Sequence, residues 1–252
     1  MRIDKFLAQK YGSRTKAAEA VEKGLVYVNG KPVAPSYDYK TDDLITFNQA
    51  EESFVSNGGY KLSKALKDFR IDVSGKIIAD VGASNGGFTD CLFKNGAEKV
   101  YCIDVGDSQL DSSLKEKNVV IIDNFNARNL SRDIFSEKLD GVVIDVSFIS
   151  LTYILKQVSQ VLDDDGFVVA LIKPQFECES RSVGKRGIVK DSSVHKKVIS
   201  KIYSFACVCG FAAVDLTNAP IRQGKNKEYL IHLVKGENKS EQLEKLLKYV
   251  KL

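Results

Sequence analysis

The sequence predicts a doubly wound α/β domain preceded by a small α+β domain. Three observations predict it. From about residue 58, seven short runs of aliphatic and β-branched residues alternate with stretches of helical periodicity, the rhythm of a sheet covered by helices on both faces. A glycine-rich stretch, Gly82 to Gly87, follows the first run, where such a sheet keeps its ligand loop. The first 50 residues have a different texture, with two short helical patterns, a hairpin signal and an excess of basic side chains. Residues 1–24 alone hold six basic and three acidic groups, +3 of the chain's net +4.

Each element has a local reason. Ile3, Phe6, Leu7 and Lys10 are spaced for a short amphipathic helix. Ser13 is suited to cap a second helix through Ala17, Ala18, Ala20 and Val21, because its hydroxyl can accept an N–H of the first turn, and Gly24 ends it. Residues 25–28, the pair Asn29-Gly30 and residues 31–33 read as a hairpin. Residues 44–47 supply another strand, and the polar segment 51–57 a linker. In the larger domain, strands are expected at 77–81, 100–105, 119–123, 142–146, 167–172, 213–217 and 229–234. Helices are expected around 60–69, 88–94, 149–162 and 195–205, and Leu243, Leu246, Leu247 and Val250 form a packing stripe in the tail.

Composition removes several classes of function. A chain of 252 residues with 44% hydrophobic and 28% charged residues is an ordinary soluble protein with a sizeable core. Met1 to Lys5 has no apolar signal core, and no apolar run approaches the roughly 18 residues a membrane helix needs, so no membrane association is expected. Cys91, Cys102, Cys178, Cys207 and Cys209 are odd in number and lack a Cys-x-x-Cys, which disfavours a disulfide framework or zinc ribbon and suits the reducing cytoplasm. His195 and His232 lie far apart, and no metal site is expected. The mildly basic balance is compatible with a nucleic-acid partner.

The glycine loop points to a cofactor. Its spacing, Gly-x-x-x-Gly-Gly, is not the Gly-x-Gly-x-x-Gly of dinucleotide binders. Asp80, at the end of the preceding strand, would be unhelpful beside a pyrophosphate but suits a ligand carrying an ammonium and a sulfonium. Asp104 ends the second strand, 24 residues later, where a carboxylate can accept ribose hydroxyls, and Asp123 ends the third, within reach of an adenine or ribose edge. Together these indicate S-adenosylmethionine. The expected contacts are Asp80, Gly82, Ala83, Ser84, Gly86, Gly87 and Phe88, then Asp104 with Val105, Asp123 with Asn124, and Asp145.

Four further residues suggest the reaction. Asp145 ends the fourth strand and Lys173 the fifth, while Glu228 begins the last strand, which shares the same edge if it runs antiparallel. Lys61, in Gly58-Gly59-Tyr60-Lys61-Leu62, lies on the helix entering the domain. The Asn/Asp-Pro-Pro-aromatic signature of amine methylation is replaced by Asp145-Val146-Ser147-Phe148. The four prolines are followed by Val33, Ser36, Gln175 and Ile221, so the Pro-Cys signature of carbon-5 methylation is missing. A Lys/Asp/Lys/Glu set suits a hydroxyl acceptor, with Lys173 as base or as the cation beside a developing alkoxide.

Over essentially its whole length the chain resembles the TlyA (hemolysin A) family of ribosomal RNA 2′-O-methyltransferases. The resemblance is carried by Arg2 to Leu7, Ser13-Arg14, Val28 to Lys31, Gly59 to Leu62, Asp80 to Asp90, Asp104 to Gly106, Asn126 to Arg128, Asp145 to Leu151, and Lys173 to Glu177. It implies an S-four-type RNA-binding domain over 1–50, a linker over 51–57, and an FtsJ-type, Rossmann-like S-adenosylmethionine methyltransferase domain over 58–252. It puts the family's catalytic tetrad on Lys61, Asp145, Lys173 and Glu228. It further implies transfer to a cytidine 2′-hydroxyl, in large-subunit RNA as in shorter members, with ribosomal RNA or an assembled subunit as partner. RNA affinity falls to Arg2, Lys5, Arg14 and Lys16, and the loop with Arg181, Lys185, Arg186 and Lys190 is a candidate lid over RNA. Two positions depart from the pattern: Lys225 replaces a Gly three residues before Glu228, and Asn57 stands where many relatives have Arg. Two rival readings remain at this point, a catalytically inactive RNA-binding factor and a haemolysin.

Overall fold

The computed structural model describes every residue except 23, 48–53, 108, 221–223 and 237–239; the first part of the expected linker, 51–53, therefore lies outside the described residues. The chain divides into two units, Met1–Ser53 and Phe54–Leu252.

The first unit contains α1 (Ile3–Phe6), α2 (Ala8–Tyr11), α3 (Arg14–Glu22), β1 (Val26–Val28), β2 (Lys31–Pro32) and β3 (Ile45–Phe47). The amphipathic segment expected as one helix is two single-turn pieces joined at Leu7. Ser13 caps α3, its Oγ accepting the Lys16 N–H at 3.2 Å. Asn29 and Gly30 take φ values of +50° and +74°, which reverse the chain so that β1 pairs antiparallel with β2; β3 flanks β1 on its other side. Ile3, Leu7, Ala17, Val21, Val26 and Val28 are the buried core of this unit.

The second unit begins with α4 (Asn57–Phe69), β4 (Ile77–Val81), α5 (Gly87–Lys94), β5 (Lys99–Ile103), β6 (Val119–Ile122) and β7 (Gly141–Ile144). It continues through α6 (Leu151–Val161), β8 (Phe167–Ile172), α7 (Pro174–Glu177), α8 (Ser192–Val208), β9 (Phe211–Asn218), β10 (Tyr229–Lys235) and α9 (Leu243–Leu246). Seven strands form one sheet in the order β6-β5-β4-β7-β8-β10-β9. The first five in that order are mutually parallel, and β10 runs antiparallel to both β8 and β9. The chain starts at β4, moves outward to β5 and β6, then returns to lay down β7 on the other side of β4. The gap between the loops after β4 and β7 is thus the topological switch point, where ligands of open α/β sheets bind.

Alternate residues along the strands feed two cores, one per face. Ala79, Val81, Tyr101, Ile103, Val142 and Ile144 join one; Ile78, Val100, Cys102 and Val143 join the other. All six residues of β8 are buried, as expected of a central strand covered on both faces. Helix ends differ from the sequence expectation where a cap decides them. Ser150 caps α6 by accepting the Thr152 N–H, and Asp191 caps α8 by accepting the Ser193 N–H at 2.8 Å. The tail stripe is a turn of α-helix followed by a 3-10 turn (Leu247–Tyr249), with Leu246 buried and Leu243, Leu247 and Val250 against the core.

Candidate active site

The site is built on close backbone contacts that only glycine permits. Gly82 leaves β4 with φ +86°, and a Cβ there would stand 2.7 Å from the carbonyl oxygen of Asp145. That contact presses the glycine loop against the end of β7. Gly58 and Gly59 lie inside α4 despite their low helix propensity, because a Cβ on Gly59 would fall 2.2 Å from Phe54 Cγ. A Cβ on Gly87 would meet Ser56 Oγ at 2.1 Å, so α4 and α5 meet through bare backbone. Lys61 follows one turn later on α4.

A cavity of about 190 Å³ lies at this junction, walled by Gly82, Ala83, Ser84, Asn85, Gly87 and Phe88 from the loop, Ser56 and Gly58 from α4, and Asp145, Ser147 and Lys173. Four of these, Ser56, Gly58, Asn85 and Ser147, are absent from the sequence expectation. Only Ser56, a cap-type residue ahead of a Gly-Gly pair, left a signal that could have found it. Gly86 shapes the loop at φ +90° without standing on the wall.

Asp80 does not stand on the cavity wall. The sequence suggested direct contact with a ligand's ammonium, but Asp80 is fully buried and points to the α5 face of the sheet, where its Oδ2 accepts the Thr89 hydroxyl at 2.7 Å. It shares the face of Ile78 on its strand. Burial, helped by the charges of Asp145 and Asp104 and opposed by the Thr89 hydrogen bond, pushes its carboxyl up to about 7. Beside it, burial and then the Asp80 charge push the Cys102 thiol up to about 12, so this cysteine is no nucleophile at neutral pH.

Asp104 is half-buried at the end of β5, with Oδ2 accepting the Ser84 N–H at 2.8 Å and Oδ1 the Gly106 N–H at 2.9 Å. Its first task is to hold two loops together, and its remaining lone pairs leave it able to accept from hydroxyl donors. Val105 is exposed, Asp123 is half-buried at the end of β6, and Asn124, at φ +54°, donates to Asp107 at 2.9 Å.

Lys61, Asp145, Lys173 and Glu228 form two ion pairs. Lys61 Nζ lies 2.7 Å from Glu228 Oε2, and Lys173 Nζ lies 2.6 Å from Asp145 Oδ1; all four side chains are less than one-fifth exposed. The antiparallel course of β10 brings Glu228 to the carboxyl edge of the parallel strands. The Lys173–Asp145 contact is a charge pair set off the hydrogen-bond direction, which leaves Asp145 Oδ1 buried and without a hydrogen bond. Lys173 instead donates to Ser147 Oγ at 2.8 Å, and Gln175 Nε2 reaches Glu228 Oε1 at 3.4 Å.

In the first unit, Asp4 organises two of the expected RNA-binding residues. Its side chain is buried, its oxygens accept from Arg2 at 2.8 and 3.2 Å, and Arg14 pairs with it at 3.2 Å. The Arg2 guanidinium, with Arg14 beyond it, holds the Asp4 carboxyl below its ordinary range. Both arginines stay about half exposed, and Lys5 and Lys16 are exposed. In the second unit the loop with Arg181, Lys185, Arg186 and Lys190 is pinned at its base. Asn226 accepts the Val189 N–H at 2.9 Å and donates to the Gly187 carbonyl at 2.8 Å, and the His195 Nε2 meets the Val189 carbonyl at 3.0 Å.

Among the described residues no helix is long and apolar enough to cross a membrane, and no group of three or more His, Cys, Asp or Glu could hold a metal ion. Residues 54–235 match the FtsJ-like methyltransferase family, and residues 1–45 match the S4 domain. Hemolysin A of Brachyspira hyodysenteriae is 42% identical over 240 residues, 93% of this chain and all of that protein. The 16S/23S rRNA (cytidine-2′-O)-methyltransferase TlyA of Mycobacterium tuberculosis is 35% identical, covering 88% of this chain and 84% of its own. The 23S rRNA (cytidine-2′-O)-methyltransferase TlyA of Campylobacter jejuni is 30% identical, covering 94% of this chain and all of its own. A solved structure from Streptococcus thermophilus, described as a hemolysin, is 36% identical with a TM-score of 0.74, covering 98% of this chain and 94% of that one.

Proposed function

This chain belongs to the FtsJ-like methyltransferase family and to the family of TlyA and hemolysin A, and on that footing we propose that it transfers a methyl group from S-adenosylmethionine to the 2′-hydroxyl of a cytidine in ribosomal RNA. The observation that carries the reading is the Lys173–Asp145 pair on the wall of a glycine-lined cavity, with the Lys61–Glu228 pair at the same sheet edge.

The residues fit the cofactor. Gly82 and Gly87 put bare backbone on the cavity wall, and the Asp145 carboxylate, paired with Lys173, stands on the same wall. Gly82, Ala83, Ser84, Gly87 and Asp145 would hold the amino-acid end, and Asp104 and Asp123 the nucleoside. Bound there, S-adenosylmethionine supplies a methyl group already activated on a sulfonium. The protein's part is to align the acceptor oxygen and to manage its proton. Lys173, steered by Asp145 and Ser147, either accepts the hydroxyl proton as its base or supplies positive charge beside the oxygen while that proton passes to water. Lys61, fixed by Glu228, keeps a second cation at the edge.

The S4 domain supplies RNA affinity through Arg2, Lys5, Arg14 and Lys16, which position phosphates without reading sequence. Choice of target then comes from RNA shape and an extruded nucleotide. Large-subunit RNA is the preferred substrate, since the chain covers the whole of the Campylobacter relative, which is named for 23S rRNA alone. The reaction belongs in the cytoplasm, where the free cysteines remain thiols. A complete pair of ion pairs beside the cavity favours a working enzyme over an inactive RNA-binding factor.

The test is methyl transfer from labelled S-adenosylmethionine to unmethylated ribosomal subunits, with mapping of the product. Label on a cytidine 2′-oxygen of the large subunit is expected. Label on a base, or none despite bound cofactor, would overturn the reading.

A further inference from the structure

We infer that Glu177 is a positioning residue for methyl transfer, a buried clamp that holds the segment carrying Asp145 against the segment carrying Lys173; the inference rests on the function proposed above. The two segments leave the adjacent parallel strands β7 and β8, and both are short. One runs from Asp145 to the α6 cap at Ser150, the other from Lys173 through the single turn of α7. At the strand ends Lys173 joins them through Asp145 and Ser147, at 2.6 and 2.8 Å. One turn further on, Glu177 joins them again. Its side chain is 1% exposed, Oε1 accepts the Leu151 N–H at 2.6 Å, and Oε2 accepts the Ser150 hydroxyl at 2.6 Å. Lys201, from α8, donates to Oε2 at 3.0 Å and to the Glu177 carbonyl oxygen at 3.1 Å. The loop bearing Asp145 and Ser147 is therefore held at both ends, by β7 and by a carboxylate one turn from Lys173.

The chemistry of the contacts requires a carboxylate. Every partner is a donor, being a backbone N–H, a hydroxyl and an ammonium, and the N-terminus of α6 favours an anion as well. An amide in its place would present an NH₂ to one of those donors. A buried charge is costly unless paired and hydrogen-bonded, and an apolar side chain would fill the same volume without that cost. What the apolar side chain lacks is direction, and direction is what Lys173 and Asp145 need to meet the acceptor oxygen. Glu177 touches no reacting atom and acts through those two residues.

The full-length protein is compared with Glu177→Gln and Lys201→Met. Calorimetric titration with S-adenosylhomocysteine counts the competent molecules, turnover on ribosomal subunits is expressed per competent molecule, and crystal structures measure the Asp145–Lys173 separation. Glu177→Gln should keep its binding stoichiometry, lose roughly 10- to 100-fold in kcat per competent molecule with KM within about twofold, and open the ion pair beyond about 4 Å. Lys201→Met, which alters a half-exposed side chain at the edge of the clamp, should lose roughly two- to fivefold in the same kcat. A merely structural role predicts stoichiometry falling in step with turnover, an unchanged kcat per competent molecule and a closed ion pair; that result overturns the proposal. If Glu177→Gln does not fold, Lys201→Met decides alone, and an unchanged kcat overturns it. If the wild-type protein transfers no methyl group, the functional reading fails, and the measured separation still decides the clamp.

Discussion

Asp80→Asn should stabilise the protein in mild alkali and destabilise it in acid. The carboxyl's ordinary value is 3.8 and its value in the fold is about 7, because the group is fully buried. Between those values the native state keeps a proton that the unfolded chain has released. The group's contribution to stability is therefore full below pH about 4, falls as pH rises toward 7, and is gone above it. A gap of roughly three units at about 1.36 kcal/mol each comes to some 4 kcal/mol at most. Asparagine carries no such pH dependence, and its carbonyl can still accept the Thr89 hydroxyl. Its NH₂ takes the place of Oδ1, which has no hydrogen-bond partner, at a cost of about 1–3 kcal/mol. The net expectation is a gain of about 1–3 kcal/mol near pH 8.5 and a loss of up to about 2 kcal/mol near pH 4.5, with the curves crossing between. Urea denaturation of both proteins across that range at constant ionic strength measures it. A stability difference that does not vary with pH would refute the assignment of a raised carboxyl at Asp80.

Lys173→Ala should abolish methyl transfer while cofactor affinity, measured by calorimetry, stays within about threefold; turnover near the wild-type rate would remove Lys173 from its central role. Gly82→Ala combines a positive φ with a 2.7 Å approach to the Asp145 carbonyl, and should cost about 1–3 kcal/mol in denaturation and at least tenfold in cofactor affinity. Removing residues 1–53 should leave cofactor binding in place and eliminate ribosomal RNA methylation, checked by calorimetry and label incorporation in parallel; retained methylation would deny the S4 domain its share of RNA affinity.

Much of the site was legible before the structure because its signals are local. The glycine spacing after a strand marks a ligand loop wherever it occurs, and Gly82, Ala83, Ser84, Gly87 and Phe88 stand on the cavity wall. Asp145 and Lys173 were visible as polar residues ending apolar runs. Ser147 was not, since a serine in a loop carries no periodic signal, and it became meaningful only as the acceptor for Lys173. The complete burial of Asp80 was not legible either, because its position in sequence says that it ends a strand but not what will cover it.

The sequence by itself determined the seven-strand rhythm, the Asn29-Gly30 reversal, the glycine loop and the types of group available at strand ends, all consequences of side-chain periodicity and backbone freedom within a few residues. Tertiary structure alone decided which groups meet. Lys61 and Glu228 are 167 residues apart and pair because β10 enters antiparallel beside β8. Gly87 matters because a Cβ there would run into the start of α4, Gly59 because Phe54 packs directly on it, and Glu177 because two loops from neighbouring strands close on it. Strand order and direction set these contacts, and both emerge only when the whole sheet buries its two faces at once.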